Sequence, residues 1–279
     1  MVDLRLGLDA LPGTLDNQAV HDGNSPSNEA FDQRLMPDTE TFPKTLVIVP
    51  AYNEAQSIAR VIGEIRHCVP WADIAVMNDG SMDTTGNAAA GAGAMVLNLP
   101  HNVGIGACVQ TGYLFAARQG YAVVVRNDGD GQHDPEDIPV MIRALAQQDA
   151  DMVIGSRYID GRGYVASLPR RAGSMILARL ISTITRQRIT DPTSGFTVCN
   201  RRAILLCAEV YPHDYPEPES IVLLHRAGLR LHEIPVTMKP RTGGRSSITA
   251  LRSVYYMIKV ILAILVSLLR PAPVVDADT

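Results

Sequence analysis

Residues 127–137 read NDGDGQHDPED and directly follow the apolar run YAVVV. Five carboxylates fall within eleven positions at the end of what reads as a buried strand. Two unit charges about 4 Å apart repel by roughly 4 kcal/mol at an effective dielectric near 20. Solvation, proton sharing or a divalent cation can relieve that repulsion. Gly129 and Gly131 take side-chain bulk out from between the acids, so backbone and carboxylates can approach a ligand closely. Hard oxygen donors at this spacing suit Mg²⁺ or Mn²⁺, which complete their shells with water and substrate phosphates. The favoured reading is a metal–diphosphate site built on Asp128 and Asp130. His133 is either an added nitrogen ligand or a plain hydrogen-bonding residue.

Two further polar clusters stand at equivalent places. PAYNE (50–54) closes the run TLVIVP, and NDGSMD (78–83) closes DIAVM. Short apolar runs alternating with longer helical segments are the pattern of a βαβ sheet. Strands are expected at 45–50, 73–77, 94–99, 121–125 and 151–155. Helices are expected at 55–67, 106–118 and from Pro135 through the PEDIPVMIRALAQQ stretch. Beyond residue 155 we expect a basic amphipathic helix at 168–188, a strand at 195–200, and an alternating stretch at 229–238 whose phase shift near Glu233–Ile234 suggests a bulge. Open α/β sheets bind ligands beyond the carboxyl ends of their strands. The three clusters therefore converge on one crevice, where Glu54 and Asp79 can accept hydrogen bonds from a base or ribose and Tyr52 can lie against the base. HNVGIG (101–106) looks like a G-x-G turn opening a helix. The dinucleotide fingerprint does not follow the first strand, which counts against an NAD enzyme.

Composition narrows the classes. The 279 residues carry a net charge of −4, with no basic excess to suit a nucleic acid. The four cysteines are widely spaced, without C-x-x-C, and read as reduced thiols in a cytosolic setting. Residues 1–43, rich in Asp, Asn, Pro, Gly and Ser, read as a loosely attached arm. Residues 44–247 read as the catalytic domain, and 248–279 as an apolar C-terminal helix and tail.

The ordered set VIVPAYNE, NDGSMD, HNVGIG, NDGDGQHDPED, GSRY, DPTSGF, EIPV and RTGGRSS resembles the inverting nucleotide-sugar glycosyltransferases of family 2, within them the dolichyl- and polyprenyl-phosphate mannosyltransferases. The resemblance runs from about Thr45 to Ser247. It implies the GT-A fold, a Rossmann-like α/β architecture with a mostly parallel central sheet flanked by helices. It implies a nucleotide pocket of Pro50, Ala51, Tyr52, Glu54, Asp79, Asp128 and Gly129, and a metal–diphosphate motif of Asp128, Asp130 and Gln132. Arg157, with Arg170 and Arg171, would bind an acceptor phosphate. Ser194, Gly195 and Phe196 would line the acceptor side, and Arg241 would sit in a loop that closes over phosphates. Asn78 stands where many relatives have aspartate, and Ser247 where the lipid-phosphate enzymes often have lysine, with Arg245 nearby.

The acceptor divides the readings. A phosphate is already an anion and needs cationic forks, whereas a saccharide or small-molecule hydroxyl needs a carboxylate base. The arginines favour polyprenyl phosphate. Glu217 and Glu219 in YPEPES serve the hydroxyl reading, with Glu219 carried forward as a catalytic candidate beside Asp130 and Arg241; Asp191 is poorer. Beside two prolines, Glu217 also reads as a turn residue. A non-catalytic nucleotide-sugar-binding subunit is the reading from another class. In the C-terminal stretch SVYYMIKVILAILVSLLRP, Lys259 interrupts the apolar run. Arg252, Lys259, Ala263, Ser267 and Arg270 share one helical face, which suits a helix lying on a bilayer or docked on a small membrane partner. The expectation is a cytoplasmic protein, peripheral on the inner face of a membrane, with a second copy of the chain also open as a partner.

Overall fold

The computed structural model describes residues 42–160, 168–239 and 250–273. Seven strands form one sheet in the order β3-β2-β1-β4-β6-β5-β7. They are β1 (Thr45–Ala51), β2 (Asp73–Asn78), β3 (Met95–Asn98), β4 (Val123–Arg126), β5 (Met152–Ser156), β6 (Thr197–Asn200) and β7 (Leu231–Pro235). All pairings are parallel except those of β6, which runs antiparallel to both β4 and β5. The helices are α1 (Ile58–Cys68), α2 (Thr85–Gly91), α3 (Ile105–Arg118), α4 (Ile138–Gln147), α5 (Leu168–Thr185), α6 (Arg201–Glu209), α7 (Pro216–Arg226) and α8 (Ala250–Leu269).

The period of two along a strand separates the layers. In β1, Leu46 and Ile48 belong to a core shared with α3, α5, α6, α7 and α8, while Val47 and Val49 belong to the opposite core shared with α1 and α4. All seven β1 residues are buried because both faces are covered. The chain steps outward from β1 to β2 to β3, then returns to place β4 on the other side of β1. The loops after β1 and β4 therefore diverge, and a crevice opens between them.

Several expectations are corrected. Leu231–Pro235 pairs with Met152–Ser156 in unbroken parallel register, so the phase shift at Glu233–Ile234 is not a bulge. Glu233 instead turns its carboxylate to the backbone N–H groups of Thr190 and Asp191. The two prolines of YPEPES do not mark a turn. Pro216 and Pro218 lie in the first turn of α7, where the missing N–H groups have no intrahelical partner to lose. Helices α2, α6 and α7 were not expected from the sequence. Phe42, placed in the arm on composition, stacks on Trp71 with ring centroids 4.0 Å apart. The rest of the arm and Arg241 lie outside the described residues.

Candidate active site

The crevice is a cleft of about 330 Å³ lined by Pro50, Ala51, Tyr52, Glu54, Asp79, Asn102, Gly104, Ile105, Cys108, Asp128, Gly129 and Asp130. It gathers the ends of β1, β2 and β4 and the start of α3. The loops are stitched together before any ligand arrives. Asn53, at φ +55°, accepts a hydrogen bond from the Met82 N–H, and the Asn53 N–H donates to Ser81. Asp83 accepts from the Ala55 N–H and from Thr85. Gly80, at φ +64°, has no room for a side chain, since a Cβ there would sit 2.4 Å from the His101 carbonyl carbon.

Asp79 is buried, and its carboxylate accepts from the Val103 N–H at 2.7 Å and the Gly104 N–H at 3.2 Å. It thus holds the entrance of α3 while forming part of the cleft wall. Tyr52 remains 45% exposed, leaving its ring face open to a flat ligand. Cys108 also lines the cleft, but burial pushes its thiol up to about 12, so it is no nucleophile.

Beneath the acidic motif lies a pairing that sequence reasoning missed. Arg126 ends β4 with only 3% of its side chain exposed. Its Nε reaches the Asp128 Oδ1 at 3.3 Å, and its Nη2 donates to the Glu217 Oε1 at 2.7 Å. Burial raises the Asp128 carboxyl, but Arg126 first, with His133 and Arg157, together offset it and hold the group below the usual carboxylate range. Asp128 is one-third exposed and stays ionised at the cleft. An arginine ending an apolar run was the available signal, although nothing in the sequence pairs it with Glu217. Gly195 completes the arrangement: a Cβ there would meet the Asp128 Oδ2 at 2.8 Å and the Arg126 Nη2 at 3.0 Å. Gly195→Ala should therefore push Asp128 aside and lower kcat by about ten- to a hundredfold, the scale of an ångström misplacement. Steady-state kinetics beside a melting curve checks this. An unchanged kcat would mean that the aspartate need not stay where Gly195 lets it lie.

Asp130 lines the same cleft, and its Oδ1 accepts from the Gln132 N–H at 3.0 Å. Gln132 does not line the cleft; its carbonyl accepts from the Lys239 N–H. His133 is buried and stacked on Phe196, its Nδ1 taking the Asp128 N–H at 3.3 Å. Burial pushes its pKa down against the pull of Asp128, so the ring is a neutral support for the turn. Among the described residues no three His, Cys, Asp or Glu side chains assemble a complete metal cage. Two carboxylates on one cleft wall still fit a magnesium-type ion, whose other ligands are water and substrate phosphate.

Of the expected acceptor residues, the side chain of Arg170 lies outside what the structure describes, and none of Arg157, Arg171 and Ser194 lines the cleft. Arg157 is buried and forked onto Asp191, with Nε at 2.5 Å from Oδ2 and Nη2 at 2.6 Å from Oδ1, and it also donates to Thr193. This holds β5 to the turn before β6. It leaves Arg157 a structural cation in place of a phosphate fork, and it removes Asp191, 0% exposed, as a base. The Ser194 hydroxyl donates to the Gly155 carbonyl at 2.6 Å, and Phe196 is fully buried. Arg171 is exposed on α5. Glu219 lies two positions past Glu217, nearly opposite it on α7, and is not part of the cleft wall. Burial and then Asp214 raise its pKa. Glu217 is the carboxylate that the fold joins to Asp128, through Arg126.

Comparison with known proteins gives a consistent setting. Residues 46–205 match the family model described as Glycosyl transferase family 2. The chain is 34% identical over 174 residues to the polyprenol monophosphomannose synthase of Mycolicibacterium smegmatis, covering 58% of this chain and 63% of that protein. It is 31% identical over 220 residues to the undecaprenyl-phosphate mannosyltransferase of Micrococcus luteus, covering 74% and 88%. The glucosyl-3-phosphoglycerate synthase of Mycobacterium tuberculosis, crystallised with Mn²⁺ and uridine diphosphate, superposes with a TM-score of 0.60 at 20% identity, covering 81% of this chain and 79% of that one. The match to that structure establishes the shared α/β fold.

Proposed function

The chain belongs to glycosyl transferase family 2, and from that premise we propose an inverting, metal-dependent hexosyltransferase that moves a sugar from a nucleoside diphosphate to polyprenyl phosphate. The observation that carries the reading is the placement of Asp128 and Asp130 on the same cleft wall as Tyr52, Glu54 and Asp79. A nucleoside set against Tyr52 directs its diphosphate toward the acidic pair. Asp128 and Asp130 would hold Mg²⁺ or Mn²⁺, which when bound neutralises charge building on the departing diphosphate without a proton transfer. Arg126 keeps Asp128 ionised and oriented, and Gly195 lets it lie close. Attack from the face opposite the diphosphate then inverts the anomeric carbon.

The acceptor is assigned from two supports. The relatives named above act on polyprenol or undecaprenyl phosphate by their names, and the Mycolicibacterium protein extends well beyond the part this chain spans. The carboxylates weighed as bases for a hydroxyl acceptor are also otherwise engaged: Asp191 is locked to Arg157, Glu217 is bonded to Arg126, and Glu219 stands off the cleft. Phosphate oxygen needs no base. Since the acceptor is membrane-linked and the donor is a cytosolic nucleotide, the proposed place of action is the inner face of a membrane. No helix among the described residues is long and apolar enough to cross one.

The test is a panel of nucleoside diphosphate sugars with Mg²⁺ or Mn²⁺, offered undecaprenyl phosphate or a saccharide, with both nucleoside diphosphate release and products measured. The expected result is release that depends on the lipid phosphate and an inverted glycosyl phospholipid. Release with the saccharide alone would overturn the acceptor, and tight donor binding without turnover would overturn catalysis.

A further inference from the structure

Charge is sharply segregated along this chain. Residues 161–190 and 234–275 together hold twelve of the 25 Lys and Arg and none of the 29 Asp and Glu. The remainder carries 13 cations against 29 acids, so a protein of net charge −4 contains two purely cationic stretches. They include α5 and α8, and these two helices pack together, with Met257 of α8 over Gly173 of α5. Among the described residues, Arg171 and Arg179 of α5 and Lys259 and Arg270 of α8 do not line the cleft.

The exposed side of α8 is apolar. Its inward face is anchored by Val260 and Ile264, both fully buried. Its outward face presents Tyr255, Ile258, Leu262, Leu265, Val266 and Leu269, each 46–87% exposed. These fall at steps of 3, 4, 3, 1 and 3, a stripe about 100° wide and roughly 21 Å long at 1.5 Å per residue. Lys259 and Arg270 lie along one edge of it, Lys259 reaching over the Tyr255 ring at 4.7 Å. Part of their charge is met within the protein, since Asp214 lies near Lys259 and Glu219 near Arg270. Alongside, α5 exposes Arg171 and Arg179 together with Met175 and Ile176.

We propose that the outward face of α8, flanked by α5, docks on an anionic lipid bilayer with α8 lying in the plane of the interface. An apolar stripe bordered by cations on long stems is what such a surface recognises: the stripe enters the acyl boundary while the charged ends reach the headgroups. A protein partner or second copy would match the stripe but gives no reason for excluding every acid from both segments. Spanning is ruled out for α8 by its inward face, which is already committed to the core. The reading of the active site bears on this only in placing the acceptor in a membrane.

The experiment is flotation of the full chain with vesicles of phosphatidylcholine alone and of phosphatidylcholine with phosphatidylglycerol. Association is expected with the anionic vesicles, about tenfold or more weaker on neutral ones and in high salt. The double variant Leu262→Glu/Leu265→Glu should lose association by at least about tenfold. It should melt like the parent, because both side chains are exposed. Equal binding by parent and variant, or no binding to either vesicle, overturns the proposal. So does a dimer in solution that the double variant converts to monomer, since a second copy would then cover the face. Flotation needs no substrate, so a failed glycosyl-transfer assay leaves this result readable.

Discussion

The Asp130→Asn variant is expected to lose about three orders of magnitude in kcat while melting within ~2 °C of the parent. The asparagine keeps an oxygen for the Gln132 N–H that Asp130 now accepts, so the turn survives. What goes is one of the two negative charges of the Asp128–Asp130 pair on the cleft wall. If the pair holds a divalent ion against a diphosphate, removing one charge withdraws several kcal/mol from the leaving-group side of the reaction, and about 4 kcal/mol is a thousandfold. A second readout separates this from a general loss of activity. Mn²⁺ affinity, measured by electron paramagnetic resonance with nucleoside diphosphate present, should fall by at least about tenfold in the variant. Near-parental turnover with unchanged Mn²⁺ affinity would defeat the metal assignment.

Asp191→Ala should be the most destabilising single change among the residues weighed for the site. Arg157 is only 7% exposed and Asp191 not at all, and two short hydrogen bonds join them. Deleting the carboxylate takes two short hydrogen bonds and the facing negative charge from a buried guanidinium, which costs about 3–5 kcal/mol. It also frees the Arg157 N–H, which now donates to the same carboxylate. For a domain of this size the melting temperature should drop by roughly 10 °C. Asp191→Asn, which keeps the acceptor geometry but not the charge, should fall between alanine and the parent. Urea unfolding of the three proteins measures the series. A loss under about 1 kcal/mol for alanine would mean that Arg157 finds water or another partner, and would return it to consideration as an acceptor ligand.

The same pair shows where sequence reasoning stopped. In GSRY, Arg157 looks like a phosphate ligand because arginine after a strand end is the residue type that does that work. Its partner is 34 positions away, and only the antiparallel insertion of β6 between β4 and β5 brings them together. Arg126 and Glu217, 91 positions apart, were missed for the same reason. Helix α2 was invisible because its sequence TGNAAAG has no apolar period; only Thr85 and Ala89 are buried. The bulge read at Glu233–Ile234 was a phase error, since Glu233 is held inward by two backbone N–H groups that no strand pattern reveals.

By itself the sequence determined the strands β1 to β5, the helices α1, α3 and α4 between them, and the convergence of three polar clusters on one cleft. These follow from local periodicity and from the rule that a parallel βαβ unit places every strand's carboxyl end at the same edge. Tertiary structure alone decided which charged side chains face the ligand and which face each other. A carboxylate or guanidinium has the same chemistry in either role. Its role is fixed by whether a counter-charge from a distant part of the chain reaches it before solvent does, and that depends on the order in which the strands lie side by side.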